Sequence, residues 1–473
     1  MHRLIAGGTV AAVIAAAAAA VALSLDGSEP EAPPGAPSVV VIVTDDQRWD
    51  TLAEMPAVQE HLVDRGVTFE NAFAANALCC PSRASILTGR YSHGHGIYWN
   101  SGRFGGFTHF DDSSTLATWL DDSGYETALV GKYLNGYGGT YVPPGWDRWA
   151  AFSGERPERR PSAYFDYVLN ADGELESHGS APADYSTDVL ARKAVSFIRG
   201  SDGPLFLYFA PTAPHGPATH APRHAGEFVD LEPWRPPSYN EDVSDKAAWA
   251  RPLPPIEGVA QEELDDFRVN QLRSLLAVDE AVAAIVRALR ETGRLENTAI
   301  LLTSDNGHSW GEHRWVLKGP AYDENIRIPF VFRFDRIAAP SRRNEFVATI
   351  DIAPTIAALA GAEPERVDGR SLVPLLRGED GEWRDEILVE HLASPRIERD
   401  RVPTYCAVRT QNWSYVAYAT GEDELYDLGA DPHQLENVAA DPPNAVVRDD
   451  LRGRVARLCT PSPPGSGRGW LSG

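Results

Sequence analysis

Five runs along the chain stay apolar with little alternation: residues 38–44 (S-V-V-V-I-V-T), 125–130, 204–210, 298–303 and 328–334. Short runs rich in β-branched and aromatic side chains predict strands buried on both faces rather than half-exposed ones. Between them the period changes. Leu272, Leu275, Leu276, Val282, Ile285, Val286 and Leu289 share one helical face, and Gly293 suits a C-terminal cap. Strands alternating with helices predict an α/β fold with a large, mostly parallel sheet and helices on both faces. Beyond residue 375 the segments shorten and alternate over 386–392, 405–410 and 413–419, with a last helix expected over 446–458. This texture predicts a smaller C-terminal α+β subdomain with an antiparallel sheet. The expected layout is a main unit over 38–375, the subdomain over 376–460 and a flexible tail over 461–473. One connection, 211–255, is rich in Pro, His and Arg and too long for a simple crossover, which marks it as a functional surface loop.

Met1, His2 and Arg3 precede an Ala/Val/Leu-rich run over 4–25, followed by a polar, Pro-rich linker over 26–37. This is the composition of a secretion signal. Ala20-Val21-Ala22 offers a cleavage site, and the run is also long enough for an uncleaved anchor. The protein is therefore expected to be secreted, or held at the cell surface or in a periplasm, with membrane contact through this segment only. Lys plus Arg number 43 against 67 Asp plus Glu, a net charge of −24, and such a surface repels nucleic-acid phosphates. An anionic substrate would need a local basic pocket. Four lysines are present, Lys132, Lys193, Lys246 and Lys318, so arginine carries nearly all the positive charge. Four cysteines are present as well; Cys406 and Cys459 are free to pair, whereas adjacent Cys79 and Cys80 are poorly placed to bridge each other.

In sheets of this kind ligands bind beyond the carboxyl ends of the strands. The residues at those exits are Asp45-Asp46, Lys132, His215 and Asp305-Asn306, a set of carboxylates, an amide and cations that a random surface would rarely assemble.

The segment C-C-P-S-R-A-S-I-L-T-G-R over 79–90 resembles the signature of the sulfatase family, C-x-P-S-R followed by T-G-R. The resemblance implies that Cys79 is oxidised by a formylglycine-generating enzyme to an aldehyde that hydrates to a gem-diol. One diol oxygen attacks the ester sulfur, and the other then collapses the hemiacetal and expels sulfate, an exit that a serine or threonine nucleophile lacks. Arg83 would hold the diol near a metal. The resemblance also assigns Asp45, Asp46, Asp305 and Asn306, with modified Cys79, as metal ligands. Such an oxygen set favours a hard cation, Ca²⁺ ahead of Mg²⁺, because zinc would want His or Cys. Lys132, His215 and Lys318 resemble the family's sulfate-binding cations, which would stabilise charge moving toward the leaving oxygen. His313 matches a substrate-binding position, while His308 is expected only near the entrance.

One departure stands out. Many sulfatases place a histidine two residues after the first site lysine, where this chain has Leu134 followed by Asn135. The K-Y-L-N stretch over 132–135, the doubled cysteine and V-P-P-G-W over 142–146 resemble the branch of N-acetylglucosamine-6-sulfatases and extracellular heparan 6-sulfatases. Segments 164–170 and 185–190 continue that likeness, and 424–428 resembles the ending of sulfatases in general. In that branch Asn135 would contact the sugar oxygen. The expected activity is hydrolysis of sulfate esters, on 6-sulfated N-acetylglucosamine-type sugars. Three alternatives stay open: an arylsulfatase of broad specificity, a formylglycine phosphomono- or diesterase, and a sulfated-glycan binding protein with unmodified Cys79.

Overall fold

The computed structural model describes residues 32–154, 163–379, 381–393, 401–466 and 470. The expected leader over 1–25, the linker as far as residue 31, and 467–469 and 471–473 of the expected tail lie outside the described residues.

Four strands form the centre of a ten-stranded sheet: β1 (Ser38–Thr44), β2 (Glu126–Gly131), β3 (Leu205–Ala210) and β4 (Thr298–Ser304). They lie in the order β4-β1-β3-β2 and are parallel throughout, with Val41 opposite Tyr208 on one side and Leu301 on the other. Every residue of β1 is buried, and its side chains divide by parity. Val39, Val41 and Val43 join one core; Val40 and Ile42 join another. The unbroken apolar run is thus what a strand needs when helices cover both of its faces. The expected strand over 328–334 forms as Phe330–Arg333, antiparallel to β4, so the sheet is parallel at its centre and mixed toward its edges.

One face of the sheet is covered by α1 (Cys79–Thr88), Leu116–Asp121 and Ile352–Ala360. The other is covered by Ser186–Gly200 and the long helix α2 (Val259–Glu291). The apolar stripe over 272–289 predicts only the second half of α2. Its first half carries no core-facing stripe because Ala260, Glu263, Leu264 and Phe267 line a cavity instead.

The C-terminal sheet has four consecutive antiparallel strands, Glu386–His391, Tyr405–Thr410, Trp413–Tyr418 and Asp423–Asp427. The last of these is absent from the alternation pattern over 386–419. One face of this sheet, through Ile387, Val389, Tyr405, Val416 and Tyr426, packs on Phe73, Trp315, Tyr322 and Ile350 of the main body. The other packs on α3 (Ala445–Leu458) through Leu388, Val408, Leu425, Leu451 and Val455. Cys406 and Cys459 form a disulfide that ties the end of α3 to the second strand of this sheet.

Closing a loop with a sequence separation of 53 removes unfolded-state entropy worth up to about 4 kcal/mol. Cys459→Ala should therefore lower the free energy of unfolding by ~2–4 kcal/mol, measured by denaturant titration. A reductant should weaken the parent protein and leave the variant unchanged.

Candidate functional site

The ends of β1 and β4 are neighbours, so Asp45 and Asp46 emerge beside Asp305 and Asn306. Asp46 adopts a left-handed backbone (φ 67°), and its N–H donates to Asp305 Oδ1 at 3.1 Å. The exit of β2 is equally constrained. A Cβ at Gly131 (φ 125°) would lie 2.0 Å from the Ala210 carbonyl oxygen, so only glycine lets Lys132 leave the strand there, its N–H bonded to that oxygen at 2.7 Å. Gly307 has the same role after Asn306: a Cβ would lie 2.1 Å from the Glu324 carbonyl oxygen.

Cys79 is the first residue of α1, whose ten residues are all buried. Arg83 follows one turn later and therefore shares its face, which explains the spacing of the C-x-P-S-R motif in terms of helix geometry. The Cys79 thiol lies 3.3 Å from Asp45 Oδ1, and it accepts a hydrogen bond from Lys318 Nζ at 2.7 Å. Arg83 Nε donates to Asp305 Oδ2 at 2.7 Å, and Nη1 donates to the Lys132 carbonyl at 3.1 Å. Cys80 turns away from the acids, toward the backbone of Gly106 and Asn135, and burial pushes its thiol up to about 11.

Asp45, Asp46 and Asp305 are at most 3% exposed, and their oxygens and the Cys79 sulfur lie within 4.8 Å of one another. Two like charges ~4 Å apart at an effective dielectric near 20 repel by about 4 kcal/mol, so the cluster requires cations. Lys132 Nζ donates to Asp45 Oδ2 at 2.5 Å, and Lys318 Nζ donates to Asp46 Oδ1. Burial favours the neutral acid at Asp45, but Lys132, His215, Arg83 and Lys318 outweigh it and hold this carboxyl well below the usual range. Asp305 moves the opposite way, raised by burial and by the Asp45 charge. Burial opposes the charge on both lysines, but the carboxylates outweigh it and raise them. His215 sits at the rim, its Nε2 3.8 Å from Asp46 Oδ2. Its Nδ1 lies 2.7 Å from the Gly216 carbonyl, an acceptor, so Nδ1 carries a proton.

A hard divalent cation fits this donor set. Three buried carboxylates converge, and the amide oxygen of Asn306 is buried with no hydrogen-bond partner while its Nδ2 donates to Asp46 Oδ1 at 2.7 Å. That orphaned oxygen is left unused by the protein's own hydrogen bonds and is free to meet a cation.

The two expected substrate residues, Asn135 and His313, differ in their surroundings. Asn135 accepts from the Phe107 N–H at 2.8 Å through its main-chain carbonyl, and its side-chain Oδ1 is buried with no hydrogen-bond partner. His313, expected at the substrate, is 1% exposed and faces away from the cavity. Its Nδ1 contacts Glu241, its Nε2 lies 3.7 Å from Glu324, and its ring stacks on Tyr322. These carboxylates make a protonated imidazole a strut behind the site. His308, expected only near the entrance, instead lines a cavity of about 880 Å³ with Asp46, His215 and Lys318. Burial lowers its imidazole to about 4, so it is neutral. The outer walls are Leu253–Ile256, Leu264, Phe267 and Trp315, with Arg314 and Arg401. Sequence reasoning did not single out these wall residues, since no local pattern separates a cavity-facing Phe267 from an ordinary helical aromatic.

A sequence profile described as Sulfatase matches residues 37–362, and one described as N-sulphoglucosamine sulphohydrolase, C-terminal, matches 311–460. Human N-acetylglucosamine-6-sulfatase is 33% identical over 454 residues, covering 85% of this chain and 81% of that protein. The extracellular sulfatase SULF-1 homologue of Drosophila melanogaster is 34% identical over 374 residues, 75% of this chain. This chain spans 33% of the length of that relative and 54% of its Caenorhabditis elegans counterpart. The fold is shared with a protein solved in complex with its substrate D-glucosamine-2-N,6-O-disulfate: the TM-score is 0.81 at 24% identity, over 91% of this chain and 99% of that one.

The His313 strut yields a pH prediction. Burial opposes its charge, but Glu241 and Glu324 outweigh burial and push the imidazole up to about 9. A raised folded-state value stabilises the protein fully below the unfolded value near ~6.5 and loses that contribution as pH rises through about 9. The stability difference between parent and His313→Gln, measured by denaturant unfolding from about pH 6 to about pH 10, should therefore shrink as pH rises. A difference independent of pH would contradict the strut.

Proposed function

The chain belongs to the sulfatase family, and from that membership we propose that it is an exported hydrolase of sulfate esters. Its substrate is a 6-sulfated N-acetylglucosamine-type sugar, its nucleophile is formylglycine made from Cys79 by a formylglycine-generating enzyme, and its metal is Ca²⁺. The observation that carries the reading is the position of Cys79 at the buried start of α1, in contact with both Asp45 and Lys318. The name of the human relative supports the sugar, and the extracellular relatives together with the expected leader support export.

A formylglycine at position 79 would supply a hydrated oxygen as the nucleophile toward sulfur. Asp45, Asp46, Asp305 and Asn306 would hold the Ca²⁺, which would offset the carboxylate charge and polarise the sulfate. The remaining work belongs to this chain's own groups. Lys132 and Lys318 offer two ammonium groups beside position 79, where sulfate oxygens carry their charge. Arg83, held by Asp305 and the Lys132 carbonyl, fixes the floor of the site. His215 Nε2, at the rim and fixed by the Nδ1 contact to Gly216, is placed for the proton that a leaving alcohol takes up. Neutral His308 adds hydrogen-bonding capacity without a further charge. The wall of Leu253–Ile256, Leu264 and Phe267 suits the apolar face of a pyranose ring, and Arg314 and Arg401 suit its polar edges.

Cys79→Ala should abolish hydrolysis, while Cys80→Ala should leave a measurable rate. Lys132→Ala and Lys318→Ala should each lower turnover by ~100-fold, the cost of one lost transition-state contact. Chelation should lower melting temperature and activity together, and Ca²⁺ should restore both. The substrate is tested by kcat/KM on glucosamine 6-sulfate, galactose sulfates, an aryl sulfate and an aryl phosphate. Preference for the phosphate would reject sulfatase action, and preference for galactose sulfates would reject the sugar assignment. Asn135→Ala should depress the sugar reaction more than the aryl one if its amide meets the sugar. Equal losses would remove it from the substrate.

A further inference from the structure

Two residues after Asp46, the side chain of Arg48 is enclosed rather than displayed. It is 2% exposed, with its guanidinium carbon 4.3 Å from the Trp310 ring centre, 5.1 Å from Trp49 and 5.3 Å from Trp234. Its fork makes four hydrogen bonds. Nε and Nη2 donate to Asp50 at 3.0 and 2.8 Å, and Nη1 donates to Glu312 Oε1 at 2.8 Å and to the His308 carbonyl at 3.1 Å. Glu312 is completely buried and accepts two further hydrogen bonds, from the Trp310 N–H at 2.5 Å and from Trp234 Nε1 at 2.7 Å.

These contacts join three stretches of chain. Arg48 belongs to the turn that carries Asp45 and Asp46, Glu312 to the loop that runs from Asn306 and His308 to Lys318, and Trp234 to the long connection over 211–255. Neither Arg48 nor Glu312 is hydrogen-bonded to Cys79, Asp45, Asp46 or Lys318, so neither is placed to touch the reacting atoms. Backbone bonds from Ser309 N–H to Leu317 and from Gly311 N–H to Trp315 fold this loop on itself, and the Arg48–Glu312 pair ties it to the turn that carries Asp46.

We propose that Arg48 and Glu312 are a positioning pair that sets the register between the Asp45-Asp46 turn and the loop carrying Asn306, His308 and Lys318. The pair thereby sets metal affinity and turnover in the site proposed above, a reading on which this inference rests. Lysine cannot replace the arginine, because a point charge can neither fork between Asp50, Glu312 and the His308 carbonyl nor stack between indoles.

The test uses the full chain with Arg48→Lys, Glu312→Gln and Trp234→Phe. Calcium affinity is read by titration calorimetry on chelator-treated protein, kcat and KM on an aryl sulfate per folded site, and melting temperature alongside. Arg48→Lys and Glu312→Gln should each weaken calcium binding and lower kcat by about 10- to 100-fold, the usual loss when a partner that orients a metal ligand is removed. KM should stay within about threefold, since the pair does not touch the substrate. Trp234→Phe keeps a ring and loses one N–H, and it should move both quantities the same way by a few-fold. A lower melting temperature with parental calcium affinity and parental kcat would overturn the proposal by reducing the pair to a structural contact. Should the first two variants fail to fold, Trp234→Phe decides, and its silence in both readouts also overturns the proposal. A parent protein that binds calcium but cleaves no sulfate ester would refute the proposed activity while calcium affinity still decides the pair. A parent with neither property would overturn both.

Discussion

Three carboxylates buried within a few ångströms of one another are the constraint to which the surrounding site answers. Asp45, Asp46 and Asp305 arrive together because β1 and β4 are adjacent parallel strands ending at the same level. Burial in that position is tolerable only with opposite charge close by, and the chain brings Arg83, Lys132 and Lys318 from three other elements to supply it. The same cations that neutralise the acids lie beside the Cys79 thiol. The cost of gathering the acids and the capacity to receive an anion are therefore met by one set of residues. Elsewhere the protein is strongly acidic, so this pocket is where its few lysines matter most.

The sheet makes that gathering accurate. Strands buried on both faces cannot slip by one residue without exchanging the two cores, and β1 is paired in register on both sides. The exits of the four central strands are consequently fixed points, and loops of very different length can hang from them. Short, steric turns at Gly131 and Gly307 hold Lys132 and Asn306 with little help. The longer loop from His308 to Lys318 draws on side chains, Arg48 and Glu312 on one side and His313 between Glu241 and Glu324 on the other.

What the sequence disclosed follows the same division. The central strands were legible because a strand covered on both faces writes an unbroken apolar run, and the site residues at their exits followed from that topology together with the C-x-P-S-R motif. The first half of α2 was not legible, since Phe267 and Leu264 face a cavity and leave no core stripe. His313 was expected at the substrate because it matches a position of the family; its buried carboxylate partners, Glu241 and Glu324, come from other parts of the chain. Arg48 stands in a run of polar residues where nothing local distinguishes an enclosed arginine from a solvated one. Partners brought together by tertiary structure alone are the part that a linear pattern does not carry.

The central claim is that Cys79 is the residue that becomes the nucleophile, and mass spectrometry of the tryptic peptide spanning 66–83, from protein made with a formylglycine-generating enzyme, tests it most directly. The expected result is a peptide lighter by the difference between a thiol-bearing and an aldehyde-bearing side chain. Fragmentation should place the change at Cys79, with Cys80 still a thiol. An unmodified peptide from protein that nevertheless hydrolyses sulfate esters, or an aldehyde located at Cys80, would contradict it.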